Sequence, residues 1–382
     1  MGIIPSKNHE SIKLPEKIKA SLITVETSHG DLCLGYIEMK SQKLSWLIKP
    51  PNQSTWSIPE INEEEFVKSK NLLPTMEKVV AILDNKADFH IFFTQKQKTR
   101  ALSLWTAVSH NYGRTWTEIT QLSDELQEWD VFSSPIIIQN GLYVNRFVVP
   151  YTDLGTQRSA FLISQDNGKT WGSSLYLEPH EEAGMLDDDL SGGTLHPTII
   201  ENLDGHLRSF FHVLNWPKLY TAISPDLGET WSEATHIEDV ITIDPTKAYD
   251  IKKIIDKTGQ LTPLIVICGW VSNDQSGKKH SDEKSVDGKQ GELKLFYSIE
   301  DGATLESVQT LYAGSYSSSL ICHLFQDSAA DLHIMYSIDQ QSITHESIDI
   351  TPLLEKITEN ETKKEKSDKT DAEDEEDYSE ID

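Results

Sequence analysis

Few residues in this 382-residue chain have the type and setting to do chemistry, and the guanidinium groups are the scarcest. Only five arginines occur: Arg100, Arg114, Arg146, Arg158 and Arg208. A guanidinium stays charged when buried and grips a carboxylate through two parallel hydrogen bonds, so arginine placement limits where an anion can sit. Arg100 and Arg158, together with Lys218 and Lys19, are the set that can form an anion-holding cluster. His196 and Asp250 are candidates for proton transfer: an imidazole titrates near neutral pH, and a lone carboxylate can serve either as a base or as a strand cap. Trp216 offers an aromatic face for stacking, with core packing as its plainer use. The run Asp187-Asp188-Asp189 carries hard oxygens, but without the alternating spacing of a calcium loop it reads as a solvated turn. No G-x-G-x-x-G follows a strand, and no P-loop, H-E-x-x-H or G-x-S-x-G elbow is present, so neither a cofactor nor a metal is expected. Cys33, Cys268 and Cys322 are an odd set without zinc-ligand spacing, which argues against a disulfide framework.

The elements that must hold these residues repeat along the chain. Six times a small turn leads into an alternating apolar strand, with starts at Gly30, Ala87, Gly141, Gly205, Gly259 and Ala330, 54 to 71 residues apart. Short strands and turn residues at such a period predict a radial array of small sheets, six copies giving six blades. A second element keeps the same beat. Ser109 to Trp116, Ser164 to Trp171 and Ser224 to Trp231 share the template S-x-D/N-x-G-x-T-W, and Ser298 to Leu305 is a degraded fourth copy. Its chemistry is that of a hairpin: the Asp or Asn side chain caps amides, Gly supplies a positive φ, and Trp packs beneath.

That template is the Asp-box, and over about residues 15 to 350 the chain resembles the sialidase-like six-bladed β-propellers, an all-β fold. The resemblance extends to SSPIIIQNGLYVNRFVVPYTD, LHPTIIENLDGHLRSFF and AGSYSSSLICHLFQDSAADLHIMYS, each similar to a strand–turn–strand unit of that superfamily. Asp-boxes lie away from the active face, so they argue fold and not chemistry. In such a propeller the residues leading into the first strands share one face with the links between second and third strands. Lys17, Lys19, Thr75, Glu77, Asp130, His196, Tyr249, Asp250 and Tyr316 belong to the former group. Arg100, Asp153, Arg158, His212, Lys218 and the polar insert from Asn273 to Gln290, expected as a loose loop, belong to the latter.

The resemblance implies a glycoside hydrolase acting on a terminal, acidic sugar. The family uses three arginines for the sugar carboxylate, a Tyr–Glu pair as nucleophile, and an Asp as acid/base; a neutral Tyr avoids repulsion at a carboxylated anomeric centre. Tyr316, in Ser315 to Leu320, resembles the element holding the nucleophile. Where the family places its Glu, this chain has His196, so His196 and Asp250 stand as proton-transfer candidates; Arg100, Arg158, Lys218 and Trp216 stand as substrate-binding candidates. The Arg-Ile-Pro motif is replaced by Lys17 to Leu22, and the segment from Tyr36 to Ile48 holds Glu38 but no Asp. A non-catalytic propeller that binds glycan or protein on the same face is the alternative.

Net charge is −27, which disfavours nucleic acid and anionic membranes as partners. Carbohydrate is the expected partner of a monomer. No apolar run reaches membrane-spanning length and the N-terminus lacks a secretory pattern, so the expected location is cytoplasmic, or exported without a cleaved signal. Between Glu361 and Asp382 lie 11 acidic and 4 basic residues, a composition that reads as a disordered acidic tail and is similar to the export signals of some bacterial effectors. The expected organisation is an N-terminal extension over 1–16, a propeller over 17–352 and the tail over 353–382.

Overall fold

The computed structural model describes residues 6–58, 73–97, 101–113, 115–124, 127–178, 193–214, 219–237, 243, 249–272, 290–300, 302, 304–315 and 320–358. Among them the chain forms six antiparallel sheets arranged as a six-bladed β-propeller. Blade 1 holds β2 (Ile18–Glu26), β3 (Leu32–Glu38) and β4 (Leu44–Lys49). Blade 2 holds β5 (Lys78–Leu83), β6 (Phe89–Lys96), β7 (Leu102–Ser109) and β8 (Thr117–Gln121). In blade 3 the inner place is shared by β9 (Trp129–Val131) and β10 (Ile136–Ile137), both paired to β11 (Phe147–Asp153), followed by β12 (Arg158–Ser164) and β13 (Gly172–Ser173). Blade 4 holds β14 (Thr194–Glu201), β15 (Leu207–Val213), β16 (Leu219–Ser224) and β17 (Thr235–His236). Blade 5 holds β18 (Tyr249–Ile255), β19 (Leu261–Ser272), β20 (Gln290–Ser298) and β21 (Glu306–Ser315). Blade 6 holds β22 (Ile321–Gln326), β23 (Leu332–Ser337) and β24 (Ser342–Ile348), and its fourth strand comes from the other end of the chain: β1 (Ser6–Lys13) pairs with β24. The stretch expected as an extension therefore contributes a strand that closes the ring.

The period-2 alternation seen in the sequence is explained by two-sided burial. In β6, Phe89, Ile91 and Phe93 pack toward blade 1, while Phe92 packs toward blade 3. The core accordingly divides into six apolar clusters, one at each blade–blade junction. The last of these, with Ile12, Ile18, Leu34, Tyr36, Ile321 and Ile343, joins blade 6 to blade 1.

The four Asp-boxes occupy the turns between third and fourth strands. In the second, Asp166 Oδ1 accepts the amide of Thr170 at 2.8 Å and Oδ2 accepts its hydroxyl at 2.6 Å. Those hydrogen bonds, the Thr170 hydroxyl first, hold the exposed Asp166 carboxyl down at about 2. Gly113, Gly168, Gly228 and Gly302 all take φ between +82° and +89°. Each box tryptophan packs back on the preceding blade, as Trp171 does edge-on against Phe92 at 5.3 Å. The six repeated small turns link first to second strands, on the same face as the boxes.

Residues 351–358 form a helix, α1, where the sequence reading places the start of the tail. Asp349 caps it through the Thr351 amide at 3.0 Å, and Leu353 and Ile357 bury themselves against blades 5 and 6. Apolar residues four apart were the available signal, masked by the charge that follows. The tail from 359 onward lies outside the described residues, as do Asp187 to Asp189 and the insert over 273–289.

A Cβ at Gly302 would stand 2.7 Å from Phe210 Cζ, at a backbone φ of +89°. Gly302→Ala is expected to lower unfolding free energy by about 2 kcal/mol in urea titrations, from combined strain and overpacking.

Candidate functional site

The first strands of the blades adjoin one another around the axis, and the residues that begin them ring its mouth. This face is opposite the boxes. Going round, Lys19 Nζ meets Glu77 Oε2 at 2.7 Å, tying blade 1 to the residue ahead of β5. Lys78 Nζ meets Asp130 Oδ2 at 2.6 Å, tying blade 2 to blade 3, and lies 5.6 Å from the centre of the Phe132 ring. Phe132 stacks on the His196 imidazole with centroids 4.2 Å apart and planes 17° from parallel. Lys19 and Lys78 thus each face a carboxylate of the neighbouring blade.

His196 sits at a bulge of β14 with φ +53°, a left-handed conformation that a non-glycine residue adopts only when its surroundings enforce it. The surroundings are visible. Its amide donates to Thr152 Oγ1 at 3.2 Å, and its carbonyl accepts the Tyr249 hydroxyl of blade 5. Burial pushes that Tyr249 phenol well up, so it stays a neutral donor. His196 therefore acts as a junction between blades 3, 4 and 5, with one ring face covered by Phe132.

Asp250, the next residue of β18, is 6% exposed and fully engaged. Oδ1 accepts the Ile251 amide at 2.9 Å; Oδ2 accepts the Leu324 amide at 2.8 Å and lies 3.1 Å from His323 Nδ1. A carboxylate that takes amide hydrogens is an acceptor, so the His323 ring presents Nδ1–H to it. Nε2 is then left with its lone pair, buried and without a hydrogen-bond partner among the described residues. An imidazole oriented by a carboxylate, with its other nitrogen unpaired, is the arrangement from which a base takes the proton of a hydroxyl or water that reaches it.

The sequence reading missed His323, placing it among thirteen scattered histidines. The available signal was a histidine within the apolar stretch Ile321 to Phe325 of an inner strand. Other candidates fare unevenly. Arg158 opens β12 with a side chain 48% exposed and is turned to Glu178 at 3.0 Å, so it does not join an axial anion cluster. Tyr316, Arg100, Lys218 and Trp216 lie outside the described residues. Asp153 uses Oδ1 on the Gly155 amide at 2.9 Å and Oδ2 on the Tyr176 hydroxyl at 3.0 Å, a turn-forming role. Glu38 accepts the hydroxyls of Ser41 and Ser45 at 2.6 and 2.5 Å. Cys33, Cys268 and Cys322 are buried free thiols, and no group of three potential metal ligands gathers among the described residues. A groove of about 630 Å³ on the box face, lined by Arg146, Asp166, Trp171 and Glu229, is built from residues that hold the turns themselves.

Asp250→Asn is expected to cost roughly 2–3 kcal/mol of stability, because a buried acceptor of three donors is weakened. Arg158→Ala should stay within about 0.5 kcal/mol, as expected of an exposed pair. Paired urea unfolding curves check the contrast.

Comparison with known proteins agrees with this architecture. A BNR repeat-like domain matches residues 38–342. No curated protein sequence matches the chain. Its fold is similar to that of the Hadza microbial sialidase Hz136, with TM-score 0.61 and 14% identity, covering 88% of this chain and 66% of that one. The chain thus spans just under two thirds of that sialidase. A protein of unknown function from Dyadobacter fermentans superposes with TM-score 0.61 and 12% identity over 91% of this chain and all of the other (100%). The intramolecular trans-sialidase of Ruminococcus gnavus, solved with oseltamivir carboxylate, gives TM-score 0.57 and 11% identity, covering 89% and 96%. At such identities the solved structures speak for the fold alone, whereas the domain match covers most of the sequence: this chain belongs to the BNR repeat-like domain family.

Proposed function

We propose that this protein is a sialidase-like glycoside hydrolase that takes a terminal sugar at the mouth of the axis. The observation that carries the reading is the Asp250–His323 pair, an imidazole oriented by a carboxylate on the inner strands around the axis. His323, rather than His196, is the proton acceptor in this scheme, and Asp250 positions it. Tyr316 is the nucleophile or the stabiliser of positive charge at the anomeric carbon; it lies a few residues ahead of the strand that carries His323. Lys19 and Lys78 are already neutralised by Glu77 and Asp130. An acidic sugar therefore depends on Arg100 and Lys218, with Trp216 as a stacking platform.

A second reading, glycan binding without hydrolysis, is favoured by that same neutralisation, since Lys19 and Lys78 are both already held by carboxylates of neighbouring blades. Hydrolysis of a fluorogenic α-sialoside by the full chain separates the two. The enzymatic reading expects measurable turnover, a fall of at least about 100-fold in Tyr316→Phe and in His323→Gln, and a native fold in both variants by circular dichroism. Absence of turnover in the unaltered chain, with saturable binding on a glycan array, would establish the second reading instead.

A further inference from the structure

The groove of about 630 Å³ on the box face is walled by the start of β11 and by the Asp-boxes of blades 3 and 4. Arg146 stands out within it. In a chain of net charge −27, Arg158 turns to Glu178, but Arg146 forms no ion pair or side-chain hydrogen bond among the described residues. Its guanidinium lies 4.6 Å from the centre of the Tyr143 ring, which orients the planar group and leaves its N–H donors unspent.

The turn that carries Arg146 is held from both neighbouring blades. Glu201 of blade 4 accepts the Gln139 and Asn140 amides, each at 2.7 Å. From blade 2, Asn85 Nδ2 donates to Asn145 Oδ1 at 2.6 Å. Asn145 takes φ +67°, a conformation that a non-glycine residue keeps where such contacts enforce it. The opposite wall is fixed as well: the Leu175 amide donates to the Gly228 carbonyl at 3.3 Å, joining the segment after β13 to the blade 4 box.

Donors, acceptors and apolar surface thus gather here without partners in the protein. Gln165 and Glu229 line the groove and, like Arg146, make no side-chain hydrogen bond among the described residues. Trp171 and Leu175 supply the apolar part, with Leu175 63% exposed. Asp166 is spent inside its own box on the Thr170 amide and hydroxyl. This charge pattern discriminates among ligands. An anion drawn to Arg146 shares the groove with the Glu229 carboxylate, and a cation drawn to Glu229 shares it with the guanidinium. A neutral polyol meets neither penalty, because each hydroxyl both donates and accepts. The C–H face of a sugar ring, in turn, suits the apolar side chains.

We propose that this groove is a second carbohydrate site, which takes a neutral hexose unit of a glycan with Arg146 donating to its hydroxyls and Glu229 and Gln165 accepting from them. It lies on the face opposite the mouth of the axis and does not depend on what the axial residues do. Glycoside cleavage uses two carboxyl groups, and here the second, Asp166, is committed to the box, so the site binds without cleaving.

An array of immobilised neutral oligosaccharides ending in glucose, galactose, mannose or N-acetylglucosamine, probed with the full chain, tests the site. The unaltered chain should bind at least one of these endings saturably. Arg146→Ala and Glu229→Ala should each keep a native circular dichroism spectrum and weaken that binding by about tenfold or more, as expected when a hydrogen bond to a charged group is removed. His323→Gln, at the axis, should bind as the unaltered chain does. Absence of binding to all four endings, a smaller loss in either folded groove variant, or loss of binding in His323→Gln would overturn the proposal.

Discussion

Every blade of this molecule is apolar on both faces and can bury them only between two neighbours. That constraint forces a closed ring. An open stack would leave two large greasy faces in water, at roughly 25 cal/mol per Å² of exposed apolar surface. Closure is achieved by completing blade 6 with β1, so that the same sheet contains both ends of the propeller. The junction of blade 6 with blade 1 is then as apolar as the other five, with Leu34, Ile18 and Ile343 fully shielded. The Asp-boxes serve the same end. Their Asp and Gly fix a tight turn, and the turn delivers a tryptophan onto the blade before it.

A ring closed in this manner positions chemistry without effort at one place, the mouth where six first strands begin. Side chains there are held by neighbours in other blades. The Asp250 carboxylate binds backbone of its own strand and of β22; the His196 backbone is pinned from blades 3 and 5. Arg158, which opens β12 at the rim of a link, instead turns outward to Glu178.

The fold was legible because its signals are local. Box residues lie within eight positions of one another, and each is dictated by the backbone geometry of a single turn, so type and spacing suffice. Strand alternation likewise reports two-sided burial. The site was legible only in part. Asp250 was recognisable as a carboxylate entering an inner strand, but its partner His323 lies 73 positions away, and no spacing rule connects them. His196 was legible as a residue entering an inner strand, but not its left-handed backbone, which Thr152 and Tyr249 hold from the neighbouring blades. β1 and α1 were hidden for a related reason. Both are short, charged stretches, Ser6–Lys13 and residues 351–358, whose few apolar side chains gain meaning only against a distant partner.

The account rests most heavily on one imidazole with its proton on the nitrogen facing Asp250 and its other nitrogen free. Ring 15N shifts of the full chain labelled at histidine, with His323→Gln to assign the signal, measure that directly. A ring protonated at Nδ1 with Nε2 unprotonated, within the pH range where it is neutral, is the predicted result. A neutral ring protonated at Nε2 would contradict it, because Asp250 would then face a lone pair and the axis would hold no oriented base.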